Sequence, residues 1–329
     1  AQADSSRHDV LFSVLLGALK SHAPAHEIEA TARARIINGP LVDALSCLPF
    51  LGGGEALLLH ENREAVARLE ILIWEAGASA REVPSLGAWL WASSETFQVM
   101  VEAPAHSTLL GRVLAARTLE VSASGMPPHA DPVLVGKTLQ ILQPLLLHPE
   151  PLVWVHAARA LGRLTGPLMQ LEGTLLDWVL GDTKILRQRA TTAFASLPAD
   201  RLSFLASQLI SLVDAPDEDG WVLAAVAAAT PYLYFEKKNV WDRLHARIVR
   251  GDGGAVSARA LARGLATLWR RGHREPEVEA ALRGLRERAR TVRPTSLEEL
   301  RRWIEVIAVT DPIDGAERDP LDLELGSRT

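Results

Sequence analysis

The sequence predicts an all-α chain, an α–α superhelix of stacked helical hairpins with no sheet. Three observations carry that prediction. Apolar residues recur at three- and four-residue spacing along most of the 329 residues. Val, Ile and Thr never line up in the alternating runs that a half-buried strand requires. One stretch also repeats: a shift of 33 residues lays Ala157 on Ala190, Ala160 on Ala193, Leu161 on Phe194 and Leu164 on Leu197. A further shift of 34 lays Ala190 on Ala224 and Ala193 on Ala227. Such a repeat is one helical pair that cannot bury its apolar face alone, so copies must stack.

Taken in order, residues 1–8 are polar, and short helices are expected over 10–19, 27–37 and 41–51. Asn38-Gly39-Pro40 and the three glycines from Gly52 to Gly54 stop the last two. One or two helices follow over 55–74, then a connector over 77–84. Helices over 86–101 and 108–121 form the next pair, and 122–131 is a loop. From Pro132 the pairs are regular: 132–147 with 151–164, 168–180 with 184–197, and 201–213 with 221–233. Then come 240–249 with 256–269, and 276–290 with 297–309. Pro151 opens its helix where a missing N–H costs nothing. Residues 1–308 therefore read as one solenoid, irregular over 1–130 and regular over 131–308, with an acidic linker or tail over 309–329.

Composition excludes several classes. Hydrophobic residues make up 48% of the chain, enough for a core, yet charge or Pro breaks every apolar run short of a membrane span. A single cysteine, Cys47, rules out an internal disulfide framework and any four-cysteine zinc site, and fits a cytoplasmic setting. Ala1 rather than Met opens the chain, which reads as the processed or cut end of something larger. The net charge is −5 but uneven: residues 243–302 hold fifteen Arg against seven acids, and 309–329 hold six acids against two Arg. Thirty of the thirty-five basic residues are Arg, a bacterial-like, high-GC composition. The split also marks a candidate interaction face.

Chemistry-bearing motifs are sparse. His22 and His26 have helical metal-ligand spacing, but Pro24 lies between them and no third ligand is evident. The glycines at 52–54 lack the Gly-Lys-Ser/Thr of a phosphate cradle. Cys47 reads as a small core residue. The sequence therefore predicts no catalytic residue, no cofactor and no metal site. Trp89 and Trp91 point about 200° apart on a helix, so at least one is expected at the surface or at a repeat boundary.

The stretch from His148 to Leu164 resembles a HEAT repeat, an armadillo-like α-solenoid unit. The second helix of that repeat tends to begin Asp-Pro-Asp-Pro-x-Val-Arg and to continue Ala-Ala-x-Ala-Leu-Gly. His148 and Glu150 stand at the acidic positions, Trp154 replaces the Arg, and Ala157, Ala158, Ala160, Leu161 and Gly162 follow the pattern. The next copy keeps the Arg as Arg187, with Asp182 upstream, and the third has Trp221 there. The likeness runs from about 132 to 235 and extends to 309. It implies an Arg–acid ladder between neighbours and second helices that line a groove.

On that basis the candidate binding residues are His156, Arg159 and Arg163 on one stripe, Arg187 and Arg189 one repeat on, and Arg259, Arg263 and Arg270 later. Arg283 and Arg286 sit on the next helix, and Trp154 and Trp221 share one repeat position. The bland alternatives are solvated helix faces for the arginines and packing spacers for the tryptophans. The functional reading is a non-catalytic protein-binding or scaffolding module. Its partner is another protein or an acidic peptide segment, the chain's own tail included, and not a membrane. The alternative is nucleic-acid binding, as in the HEAT-like alkylpurine DNA glycosylases. A lyase like the HEAT-repeat phycobilin attachment proteins is a third class, with no residue here that identifies a pigment site.

Overall fold

A computed structural model describes residues 25–38, 63–78, 84–127, 130–217 and 219–310. Among these residues every regular element is helical and no strand occurs. The helices expected over 10–19 and 41–51 lie outside them, as do Cys47, the side chains of His22 and His26, and the tail from residue 311. The chain divides into two compact units, Ala1–Pro167 and Leu168–Thr329, so the boundary falls within the stretch read as regular repeats.

The first unit contains α1 (Ala25–Asn38), α2 (Arg63–Ala78) and α3 (Pro84–Leu90). Next come α4 (Ser94–Phe97), a π-helical turn (Gln98–Glu102) and α5 (Ala103–Ala105). It closes with α6 (Leu109–Ser122), α7 (Pro132–Leu146) and α8 (Pro151–Leu164). The single helix expected over 86–101 is broken. Its first part stops at Leu90, and Ser93 starts a new helix by accepting the Thr96 N–H on its hydroxyl at 3.1 Å. The turn then widens just before Pro104, the residue with no N–H to offer. Because the helix ends before Trp91, the expected surface tryptophan is absent: Trp89 and Trp91 are 6% and 4% exposed, and Trp91 Nε1 donates to the Ser122 carbonyl.

Helix α6 is the axis of this unit. Helices α2, α3, α5 and α8 all pack on it, and every residue from Val113 to Ser122 is buried. A helix covered on all sides shows no single apolar stripe. Gly87 lets α3 press on its end, since a Cβ there would lie 2.5 Å from the Gly125 Cα.

The second unit runs through α9 (Leu171–Leu180), α10 (Lys184–Phe194), α11 (Ala199–Leu209) and α12 (Trp221–Ala228). It continues with α13 (Thr230–Glu236), α14 (Lys238–Arg250), α15 (Gly254–Arg270), α16 (Pro276–Thr291) and α17 (Leu297–Val309). Helices α9, α11, α14 and α16 each pack on the helix after them. The second members form a row, α10 on α12, α12 on α15 and α15 on α17. The repeat positions on these helices are buried: Ala190, Ala193, Ala227, Leu265 and Leu268 fully, and Ala224 at 1% exposed. The helix expected over 221–233 splits after Ala228. Pro231 has no N–H to continue the ladder, and the Thr230 hydroxyl instead donates to the Ala227 carbonyl at 2.6 Å. Gly264 brings α15 close to that split, where a Cβ would sit 2.5 Å from the Thr230 Cβ.

Candidate functional site

The stripe of His156, Arg159 and Arg163 on α8 faces α6 rather than solvent. Its target is Glu120, a glutamate inside the most deeply buried helix of the unit. His156 Nδ1 lies 2.5 Å from one Glu120 carboxylate oxygen. Arg159 and Arg163 each hold a guanidinium nitrogen 3.7 Å from the other. Arg117 Nε donates to His156 Nε2 at 3.1 Å, which leaves the imidazole proton on Nδ1, pointed at Glu120. Arg163 also donates to the Glu120 main-chain carbonyl at 2.9 Å, one of the last four carbonyls of α6 that no helical N–H reaches.

The electrostatics agree with that geometry. Burial pushes the Glu120 carboxyl up. The His156 hydrogen bond and the charges of Arg159, His156 and Arg163 outweigh it, so the carboxyl stays below its ordinary value. Burial also holds the His156 imidazole below its ordinary value against the pull of Glu120. The result is an ionised glutamate, a neutral histidine and three arginines. Side chains of Glu120 and His156 are fully buried, and those of Arg159 and Arg163 are 12% and 11% exposed. Solvent reaches only the edges of Arg159 and Arg163, and neither Glu120 nor His156 is open to a partner. Trp154, one turn earlier, is half-buried.

In the second unit the corresponding helices bring charge to one place. Arg187 reaches forward to Asp219 at 3.0 Å, a rung between neighbouring repeats. Arg189 Nη1 donates to the Gln188 side-chain oxygen at 2.9 Å, and Gln188 Nε2 donates to Glu298 on α17 at 3.3 Å. Glu298 pairs with Arg302, whose guanidinium lies 5.2 Å from the centre of the Trp221 ring. Glu305, on the same helix, accepts Arg259 at 2.5 Å and Arg263 at 3.1 Å. Helices α10, α12, α15 and α17 thus supply Arg189, Trp221, Arg259 with Arg263, and Arg302. Burial lowers the Arg189 guanidinium to about 10 against the pull of Glu298, and burial likewise lowers Arg302. Both remain charged at neutral pH.

The other predicted arginines are tied elsewhere. Arg270 donates to the Ala266 carbonyl at 3.3 Å and Arg283 pairs with Glu279 at 2.6 Å, each within its own helix. Arg286 donates to the Thr310 carbonyl at the end of α17. The sequence alone did not single out Arg117, Glu120, Glu298 or Glu305, and it placed Arg302 only within the general arginine excess. The available signals were an Arg and a Glu three apart in an otherwise apolar helix, and an acid, base, acid series at 298, 302 and 305.

Among the described residues no group of three His, Cys, Asp or Glu side chains is placed to hold a metal ion, and no helix is long and apolar enough to cross a membrane. No family model and no curated protein matches the chain. Among solved structures, the crystal structure of an engineered protein is 17% identical over 91% of this chain and 88% of that one, with a TM-score of 0.35.

Proposed function

We propose that the chain is a non-catalytic interaction module of HEAT-like repeats that binds an acidic segment of another protein through its second unit. The observation that carries this reading is the assembly of Arg189, Arg259, Arg263 and Arg302 by three different helices around the carboxylates of Glu298 and Glu305. Arginines held by their neighbours present planar donors already in position for further carboxylates. The side chains of Arg259 and Arg263 are 30% and 27% exposed, so an acidic partner reaches them. The row of second helices and the Arg187–Asp219 rung support the HEAT-like reading of the repeats.

Nucleic acid is the less favoured partner. Trp221 is 6% exposed and lies under Arg302, so a base meets the guanidinium before it meets the ring. The test is an anisotropy titration of the full chain with a labelled Glu-rich peptide, a neutral peptide of equal length, and single- and double-stranded DNA. Saturable binding of the acidic peptide alone, weakening as salt rises past physiological strength, is the expected result. Tighter binding of DNA than of the acidic peptide would transfer the face to nucleic acid.

A further inference from the structure

A second place in the molecule, wholly within the first unit, combines cations with apolar walls. A cleft of roughly 300 Å³, at the small end of the range for ligand pockets, is lined by Ala105, His106, Arg112, Ile141, Pro144, Leu145 and His148. Four of these seven are apolar and none is acidic. Arg112 stands in the first turns of α6, and His148 in the connector between α7 and α8.

The hydrogen bonds of His148 define what the cleft lacks. Its Nδ1 accepts the Glu150 main-chain N–H at 3.1 Å, so the proton of the neutral ring sits on Nε2. Nε2 in turn lies 3.2 Å from Arg112 Nη1, which is a donor with no lone pair to offer. Two donors therefore face one another across the polar end of the cleft. An acceptor seated beside them takes a hydrogen from each and removes the conflict. Among the described residues no carboxylate pairs with Arg112. An anionic oxygen suits the position best, because Arg112 carries full charge and hydrogen bonds to charged partners are the strong ones.

We propose that this cleft binds a small carboxylic acid. Its carboxylate is shared between Arg112 and His148, and its short apolar chain lies along Ile141, Pro144 and Leu145. The apolar walls argue against inorganic phosphate, which would leave them wet while giving up its own hydration. The acidic-segment site of the second unit plays no part in this argument, so either proposal stands if the other fails.

Calorimetric titration of the full chain with hexanoate, hexanol, hexylammonium and inorganic phosphate tests the assignment. Hexanoate should bind at one site per chain, with hexanol and hexylammonium silent and phosphate at least tenfold weaker. Arg112→Gln should lower hexanoate affinity at least tenfold with the helical spectrum intact. Should that variant lose its helical spectrum, His148→Phe removes the Nε2 donor while keeping a ring of similar size, and the same loss is expected. Equal binding of hexanol would show that the carboxylate is irrelevant, and equal binding of phosphate that the apolar walls are. Either result, or no saturable hexanoate binding at all, overturns the proposal.

Discussion

The two units build the same device and use it differently. In each, one glutamate on a second-row helix receives two arginines spaced four apart on a neighbouring helix: Arg159 and Arg163 for Glu120, Arg259 and Arg263 for Glu305. Around Glu120 the helices bury the carboxylate completely, and His156 and Arg117 join the network. Glu305 itself is 8% exposed, but its arginines open to solvent. The lesson is that the residue pattern alone does not set the role. Burial converts a polar cluster into an internal fastening, and partial exposure converts it into a surface that other molecules can reach.

Removing each hub should separate the two units most clearly. Glu120→Ala leaves buried arginines without their counter-charge and should cost about 3–5 kcal/mol. Glu305→Ala leaves arginines that water can hydrate and should cost about 1 kcal/mol or less. Urea midpoints measure both; equal losses would mean that the two hubs do not differ in kind.

A smaller effect is expected where α15 packs on the α12–α13 split. Gly264 adjoins Arg263 on α15 and touches the α12–α13 split. Gly264→Ala drives a methyl into Thr230 and should cost about 1–3 kcal/mol. The double variant with Glu305→Ala should then lose less than the sum of the singles, because the displaced helix already carries Arg263 away from Glu305. Full additivity would separate the helix contact from the charge hub.

Acid provides the third comparison. His156 is held below its ordinary value in the folded chain, so below about pH 6.5 the unfolded chain takes up a proton that the folded one refuses. Stability therefore falls with falling pH by at most about 1.4 kcal/mol per unit from this group, until its folded value is reached. Glu120 is also held low, so its contribution is present above the ordinary carboxyl range and lost as pH falls through its folded value. The variant His156→Gln should flatten the slope between pH 6.5 and 5, measured by urea midpoints. A slope that survives the substitution would place the titrating group elsewhere.

Much of the architecture was legible from local chemistry. The bounds of α8 and α17 follow from Pro151 and from the Ser296–Glu299 cap, and the alanines of the repeat mark the close contacts between second helices. The hub at Glu120 was harder to read, because α6 is buried on every side from Val113 to Ser122 and shows no single apolar stripe against which a charge would stand out. The arginine excess over 243–302 also overstates the charge left for a partner. Counting acids ignores main-chain acceptors, yet Arg247 donates to the carbonyls of Val213 and Ala215, and Arg288 to those of Ile248 and Val249. Helix ends and loops leave such carbonyls open, so an arginine can be satisfied without any carboxylate nearby.

The proposed function predicts one division of labour: partners meet the arginines of the second hub and not those of the first. Its most direct test is one anisotropy titration of a labelled Glu-rich peptide against two matched variants, Arg259→Gln and Arg159→Gln, at low salt. Arg259→Gln should weaken peptide binding severalfold with little change in melting temperature. Arg159→Gln should lower the melting temperature and leave the affinity of the folded fraction unchanged. If Arg159→Gln weakens binding as much as Arg259→Gln does, the buried hub is not sealed and the division of roles between the two clusters is wrong.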